Sequence, residues 1–211
     1  MPLEILFALA LFAVVSTITP GLNNMLLLAS GANWGVVRTV PHMLGITCGF
    51  SLMVILVGIG VMQLFERFPI TYVLLSTASV LYLLYLAYKI ATSSAPNSDG
   101  GGRSQPMSFL QAAMFQWVNP KGWTMALTSI SLYAPGRELG AILWVALVFA
   151  LANLPSVSLW TVLGQQMQRL LSTEKRLRTF NVSMAVLLVA SMLPMLVLML
   201  APVWEGTTLA W

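Results

Sequence analysis

The chain is organised by long apolar stretches separated by short polar ones. No Asp, Glu, Lys or Arg lies between Glu4 and Arg38, between Arg38 and Glu66, or within residues 68–88, 139–168 and 179–204. Residues 104–136 carry one charge, Lys121. A helix needs about 20 predominantly apolar residues to cross a bilayer's hydrocarbon core. Six such segments fit, at roughly 3–28, 43–64, 69–89, 107–132, 139–164 and 180–202. The alternation of polar and apolar positions that marks a membrane β-barrel is absent. The pattern predicts an all-α integral membrane protein of six transmembrane helices. The start, Met1-Pro2-Leu3-Glu4, puts an acid where a secretory signal needs basic residues, so the first apolar run is expected to stay in place as helix one.

Composition agrees with this. Of 211 residues, 58% are hydrophobic and 8% charged, with a mean hydropathy of +0.87. A soluble domain carries roughly a quarter of its residues as charges; the solvent here is lipid. The net charge of +4 comes from the connecting segments. Arg38, Lys89, Arg103, Arg169, Lys175, Arg176 and Arg178 fall in the loops after helices one, three and five, whereas the opposite loops hold Arg67 and Arg137, each beside a glutamate. The excess of Lys and Arg marks the cytoplasmic side and leaves both termini periplasmic, in a bacterial inner membrane. This asymmetry accounts for the charge without nucleic-acid binding. Cys48 is the single cysteine, so no internal disulfide or redox pair can form; its expected role is packing.

Residues 93–106 (Ser93 to Pro106, with three consecutive glycines) read as a flexible cytoplasmic linker. It divides one transmembrane domain, 1–211, into three-helix halves at 1–92 and 107–211. With an odd number of helices per half, the second half starts on the other side of the membrane, so related halves form an inverted repeat. Helix one is interrupted at Thr19-Pro20-Gly21 and helix four at Asn119-Pro120-Lys121-Gly122. Proline removes a backbone donor, and glycine weakens the helix further. The freed carbonyls must face protein or a wet cavity, and matched breaks in corresponding helices point to a transport site. Simple kinks are the plainer alternative. The adjacent amides of Asn23 and Asn24 also need partners, in the broken backbone, another helix or a polar substrate.

These residues carry a resemblance. The run Thr19-Pro20-Gly21-Leu22-Asn23-Asn24, the small residues leading to Arg38, and Pro41-His42-Met43-Leu44-Gly45 are similar to the N-terminal signature of the LysE/RhtB family of amino-acid exporters. Val118-Asn119-Pro120-Lys121-Gly122-Trp123 resembles that family's NPK element in helix four. Asn153-Leu154-Pro155-Ser156 lies where helix five carries a small polar break. Leu22 departs from the family pattern, which has a second proline there. The resemblance implies efflux of amino acids or close derivatives in exchange for protons, with no cofactor.

Other chemistry is thin. The single histidine, His42, and Ser30 could form a serine–histidine pair only within hydrogen-bond reach. No acid lies within a span and no second histidine exists, so metal ligation lacks ligands. A membrane enzyme is therefore disfavoured; a scaffold or assembly protein with no transport cycle is the competing class. Proton carriers place a carboxylate or histidine in the membrane, which leaves His42 as the candidate coupling group within a span, beside Glu4 and Glu66 at the outer edges. Gly45 and Gly49, like Ala146 and Ala150, have the spacing that lets helices approach closely, and the tryptophans read in part as interfacial anchors. The substrate would sit between helices one and four, with Pro20, Gly21, Asn23 and Asn24 facing Asn119, Pro120 and Lys121. Lys121 is about 14 residues, or roughly 21 Å, into helix four, where an ammonium is costly unless it holds something. That favours a substrate with a free carboxylate. Monomer and homo-oligomer are both open.

Overall fold

In the computed structural model, residues 2–61, 63, 67–92, 105–171 and 173–190 are described, and among them every regular element is helical. Helix α1 spans Leu3–Ile18, α2 Leu22–Gly58, α3 Pro69–Ala91 and α4 Phe109–Phe115. A 3₁₀ turn, Gln116–Val118, leads into α5, Pro120–Tyr133, followed by α6, Leu139–Met167, and α7, Glu174–Ala190. Helices α2 and α6 are long and apolar enough to cross a membrane; α1 and the stretch Thr77–Ala91 are apolar but shorter. The end of the expected sixth helix, past residue 190, and most of the linker, 93–104, lie outside the described residues.

Helix α2 is folded back on itself. Gly35 has φ 77° and ψ 174°, a backbone region that is essentially restricted to glycine. The hydroxyls of Ser30 and Thr39 are hydrogen-bonded across it at 2.9 Å. In an uninterrupted helix, residues nine apart would be separated by about 13 Å, so the two limbs form a hairpin. Gln165 Oε1 accepts from Val36 N at 2.6 Å and caps the second limb. Sequence reading placed helix two at 43–64 behind a loop; the loop shrinks to this one glycine, and Pro41 and His42 lie inside the second limb rather than at its opening.

The limbs of α2 pack along α6, the broadest helix contact among the described residues. A Cβ on Gly31 would strike the Thr161 carbonyl, and one on Gly164 the Leu28 carbonyl, so the two backbones touch. Gly45 and Gly49 bring α2 equally close to α4, against Phe109, Ala112 and Ala113. Around these contacts α1 packs on α6, α4 on α2, α3 on α7, and α1 touches α5. Leu9, Phe50, Met53, Ile142 and Phe149 form one buried cluster, and Leu27, Ile46, Leu83, Phe115 and Leu188 belong to a second.

Two further expectations change. Helix α6 runs unbroken through Pro155 instead of opening at Asn153–Ser156. One proline deprives one carbonyl, that of Leu151 on the exposed outer face, and packing by α1 and α2 holds the helix. Cys48 is exposed rather than packed in the core. It shares an outward stripe with Leu44 and Leu52, at the four-residue spacing of a helix face, while Ile46, Gly49, Phe50 and Met53 face inward.

Candidate functional site

Two of the places where the chain leaves the helical path meet. Helix α1 ends at Ile18; Thr19 and Gly21 are extended, and α2 starts at Leu22. Pro20 has no N–H to give, and the extended backbone cannot return the others, so the carbonyls of Thr17, Ile18 and Thr19 lose their helical donors. Side chains replace them. Asn24 Nδ2 donates to the carbonyls of Thr17 and Thr19, both at 2.9 Å. Ser156 Oγ donates to Thr17 O at 2.8 Å, Trp160 Nε1 to Ile18 O at 3.2 Å, and Lys121 Nζ to Thr19 O at 2.6 Å. The opened helix end is thus held by α2, α5 and α6 together.

The second interruption follows α4. Asn119 is extended between the 3₁₀ turn and α5, its Oδ1 accepts from Lys121 N at 3.2 Å, and Pro120 opens α5 at the position where a missing N–H costs least. The two interruptions are tied by a reciprocal amide pair: Asn23 Nδ2 donates to Gln116 Oε1 at 2.9 Å, and Gln116 Nε2 to Asn23 Oδ1 at 3.3 Å. Gln116 also donates to Ala112 O at 2.8 Å and is fully buried.

Between them lies a cavity of about 380 Å³. Gly21, Asn23, Asn24, Asn119 and Lys121 line it, together with Ser16, Thr17, Leu22, Phe50, Gly122, Met125 and Asn153. Five of the seven residues expected from sequence therefore share one cavity, while Pro20 and Pro120 shape the backbone beside it. The first turns of α2 and α5 open on it: α2 has no side-chain cap, so N–H groups at its start are left for another acceptor. The dipoles of both helices make this region favourable to negative charge. Half-buried Lys121 adds a formal cation, and no acidic side chain is among the lining residues.

This arrangement of broken helices can be set beside known proteins. LysE type translocators match residues 4–196 of the chain. The chain belongs to that family. It is similar to the cysteine/O-acetylserine efflux proteins of Escherichia coli strain K12, Shigella flexneri and Shigella sonnei, at 29% identity over 180 residues, covering 84% of this chain and 90% of each relative. No solved structure matches the chain.

Of the partners left open for the tandem asparagines, Asn24 takes the broken backbone and Asn23 takes another helix. Sequence reasoning missed Gln116 and Trp160 and gave Ser156 no role. The same logic that marked Asn23 would have found Gln116, an amide in an apolar span that needs a partner. His42 is not brought to this cavity. It lies on the second limb of α2, 1% exposed, and neither ring nitrogen has a hydrogen-bond partner. Ser30, bonded to Thr39, forms no dyad with it.

Proposed function

We propose that the chain exports amino acids or close derivatives across the cytoplasmic membrane of a bacterium, as a secondary transporter working by alternating access. The observation that carries this reading is the meeting of two uncapped or amide-capped helix starts and Lys121 in one cavity without acids. That set suits a carboxylate: an ammonium supplies charge, and helix-start N–H groups supply directed donors. The relatives named for cysteine and O-acetylserine efflux suggest small polar amino acids as the substrate class.

The six-span inverted repeat is part of the same reading. Its support is reciprocity: the first helix of each half packs on the second helix of the other, and the third helices pack on one another. Rocking of one half against the other would break and remake the contacts at Thr19–Lys121 and Asn23–Gln116, which join the halves. The basic end around Gly35 would face the cytoplasm, with both termini periplasmic. Export would run in exchange for protons, with His42 as the coupling group.

Purified protein in proteoliposomes loaded with L-cysteine or O-acetyl-L-serine should catalyse counterflow of the labelled compound. Lys121→Met should lower it roughly tenfold to a hundredfold while leaving protein abundance in the membrane near normal. A wild-type protein that supports no counterflow of any free amino acid would instead favour a membrane scaffold.

A further inference from the structure

A second cavity, of about 370 Å³, lies at the basic end of the bundle. Its polar or aromatic lining comes from Ser30, Asn33, Trp34, His42, Lys89 and Gln105, and leucine, isoleucine and methionine side chains form the rest. Both limbs of α2 contribute to each cavity, but this one lies near Gly35 and adds the end of α3 and the approach to α4, where the first adds α1, α5 and α6. The first limb of α2 lines both, and Asn24 and Ser30 lie about 9 Å apart along it. Leu27, Ile46 and Phe115 are fully buried in one cluster, and Asn23, whose amide pairs with Gln116, lines the first cavity.

Most polar groups around this second cavity are already engaged. Ser30 is bonded to Thr39, and Asn33 donates to Ala29 O and to Asn181 Oδ1, both at 2.8 Å. His42 is the exception, with two ring nitrogens, at least one of them a donor, buried and unpartnered at the cavity wall. Buried polar groups are otherwise almost always satisfied. Lys89 puts a cation in the same wall, and no acidic side chain is among its lining residues. A cation, an imidazole donor and an apolar remainder suit a small organic anion.

We propose that this cavity is a second carboxylate site, an intake vestibule in which His42 and Lys89 hold the substrate's carboxylate before it passes the Asn23–Gln116 pair to Lys121. The proposal rests on the export reading, and equilibrium dialysis of the purified full-length protein against radiolabelled O-acetyl-L-serine separates the two. Wild type should bind two equivalents, Lys121→Met one, and His42→Leu one. The double variant His42→Leu with Lys121→Met should bind none, and the serinamide analogue should compete at neither site. Because His42 gives up no hydrogen bond, His42→Leu is expected to fold, which gel filtration checks; Lys89→Met, weakening the second equivalent at least tenfold, is the independent probe. One equivalent in wild type, lost in Lys121→Met and untouched in His42→Leu and Lys89→Met, would overturn the vestibule and leave the export reading standing. No binding in wild type would overturn both.

Discussion

The carbonyls freed where α1 ends allow a quantitative test. Thr17 O accepts from both Asn24 and Ser156, and Thr19 O from both Asn24 and Lys121. Asn24→Leu removes two hydrogen bonds but leaves each carbonyl one donor. At a net 0.5–1.5 kcal/mol per bond it should cost about 1–3 kcal/mol. Ser156→Ala removes one and should cost about 1 kcal/mol. Together they strip Thr17 O of both side-chain donors inside an apolar bundle, and the desolvation penalty of an orphaned carbonyl, about 1–3 kcal/mol, then appears on top of the sum. The expected coupling is therefore about 1–3 kcal/mol, with the double variant worse than additive.

The assay is equilibrium unfolding in mixed detergent micelles as the SDS fraction is raised, read by tryptophan fluorescence, for wild type, both single variants and the double. A control cycle pairs Asn24→Leu with Trp160→Phe, since Trp160 serves Ile18 O and shares no acceptor with Asn24. That pair should be additive to within about 0.5 kcal/mol. Additivity in both cycles would refute the account, because the break would then not depend on side-chain donors for its satisfaction.

Three other outcomes are expected. Lys121→Met should lower export by roughly tenfold to a hundredfold, the worth of one charge-assisted hydrogen bond, and Lys121→Arg should keep part of it, measured as counterflow at equal protein density. Gly35→Ala should destabilise the fold by about 1–3 kcal/mol, because its φ of 77° with ψ 174° suits no side-chain-bearing residue; a shift in the SDS unfolding midpoint checks it. Asn33 and Asn181 exchange hydrogen bonds at 2.8 and 3.1 Å between α2 and α7, so Asn33→Leu or Asn181→Leu alone takes both bonds of the pair from the buried amide that remains. Each single change should cost about 1–3 kcal/mol in that titration, and the double replacement should cost less than the sum.

What could be read in the sequence divides by the range of the physics. Apolar runs free of charge mark helices because lipid leaves the backbone few other ways to satisfy its hydrogen bonds, and the positions of α3 and α6 follow directly. Pro20, Gly21, Asn119 and Pro120 were legible as break residues because proline and glycine act on their own backbone. Gly35 was not, since a lone glycine in an apolar run can be a packing residue or a turn; what decides it is the Ser30–Thr39 contact and the cap from Gln165, which exist only after folding. The α6 side of the first break was hidden for the same reason: Ser156 and Trp160 reach carbonyls 139 and 142 residues away. Pro155 pulled the reading the other way. The family resemblance placed a small polar break there, yet α6 continues, and Asn153 and Ser156, on either side of the proline, both have inward roles, one lining the cavity and the other holding Thr17 O. A proline in this chain therefore opens a helix only where side chains stand ready to take the carbonyls it frees. At Thr19-Pro20-Gly21 Asn24, Ser156, Trp160 and Lys121 do so, and those four residues, more than the proline itself, are what make the break affordable in lipid.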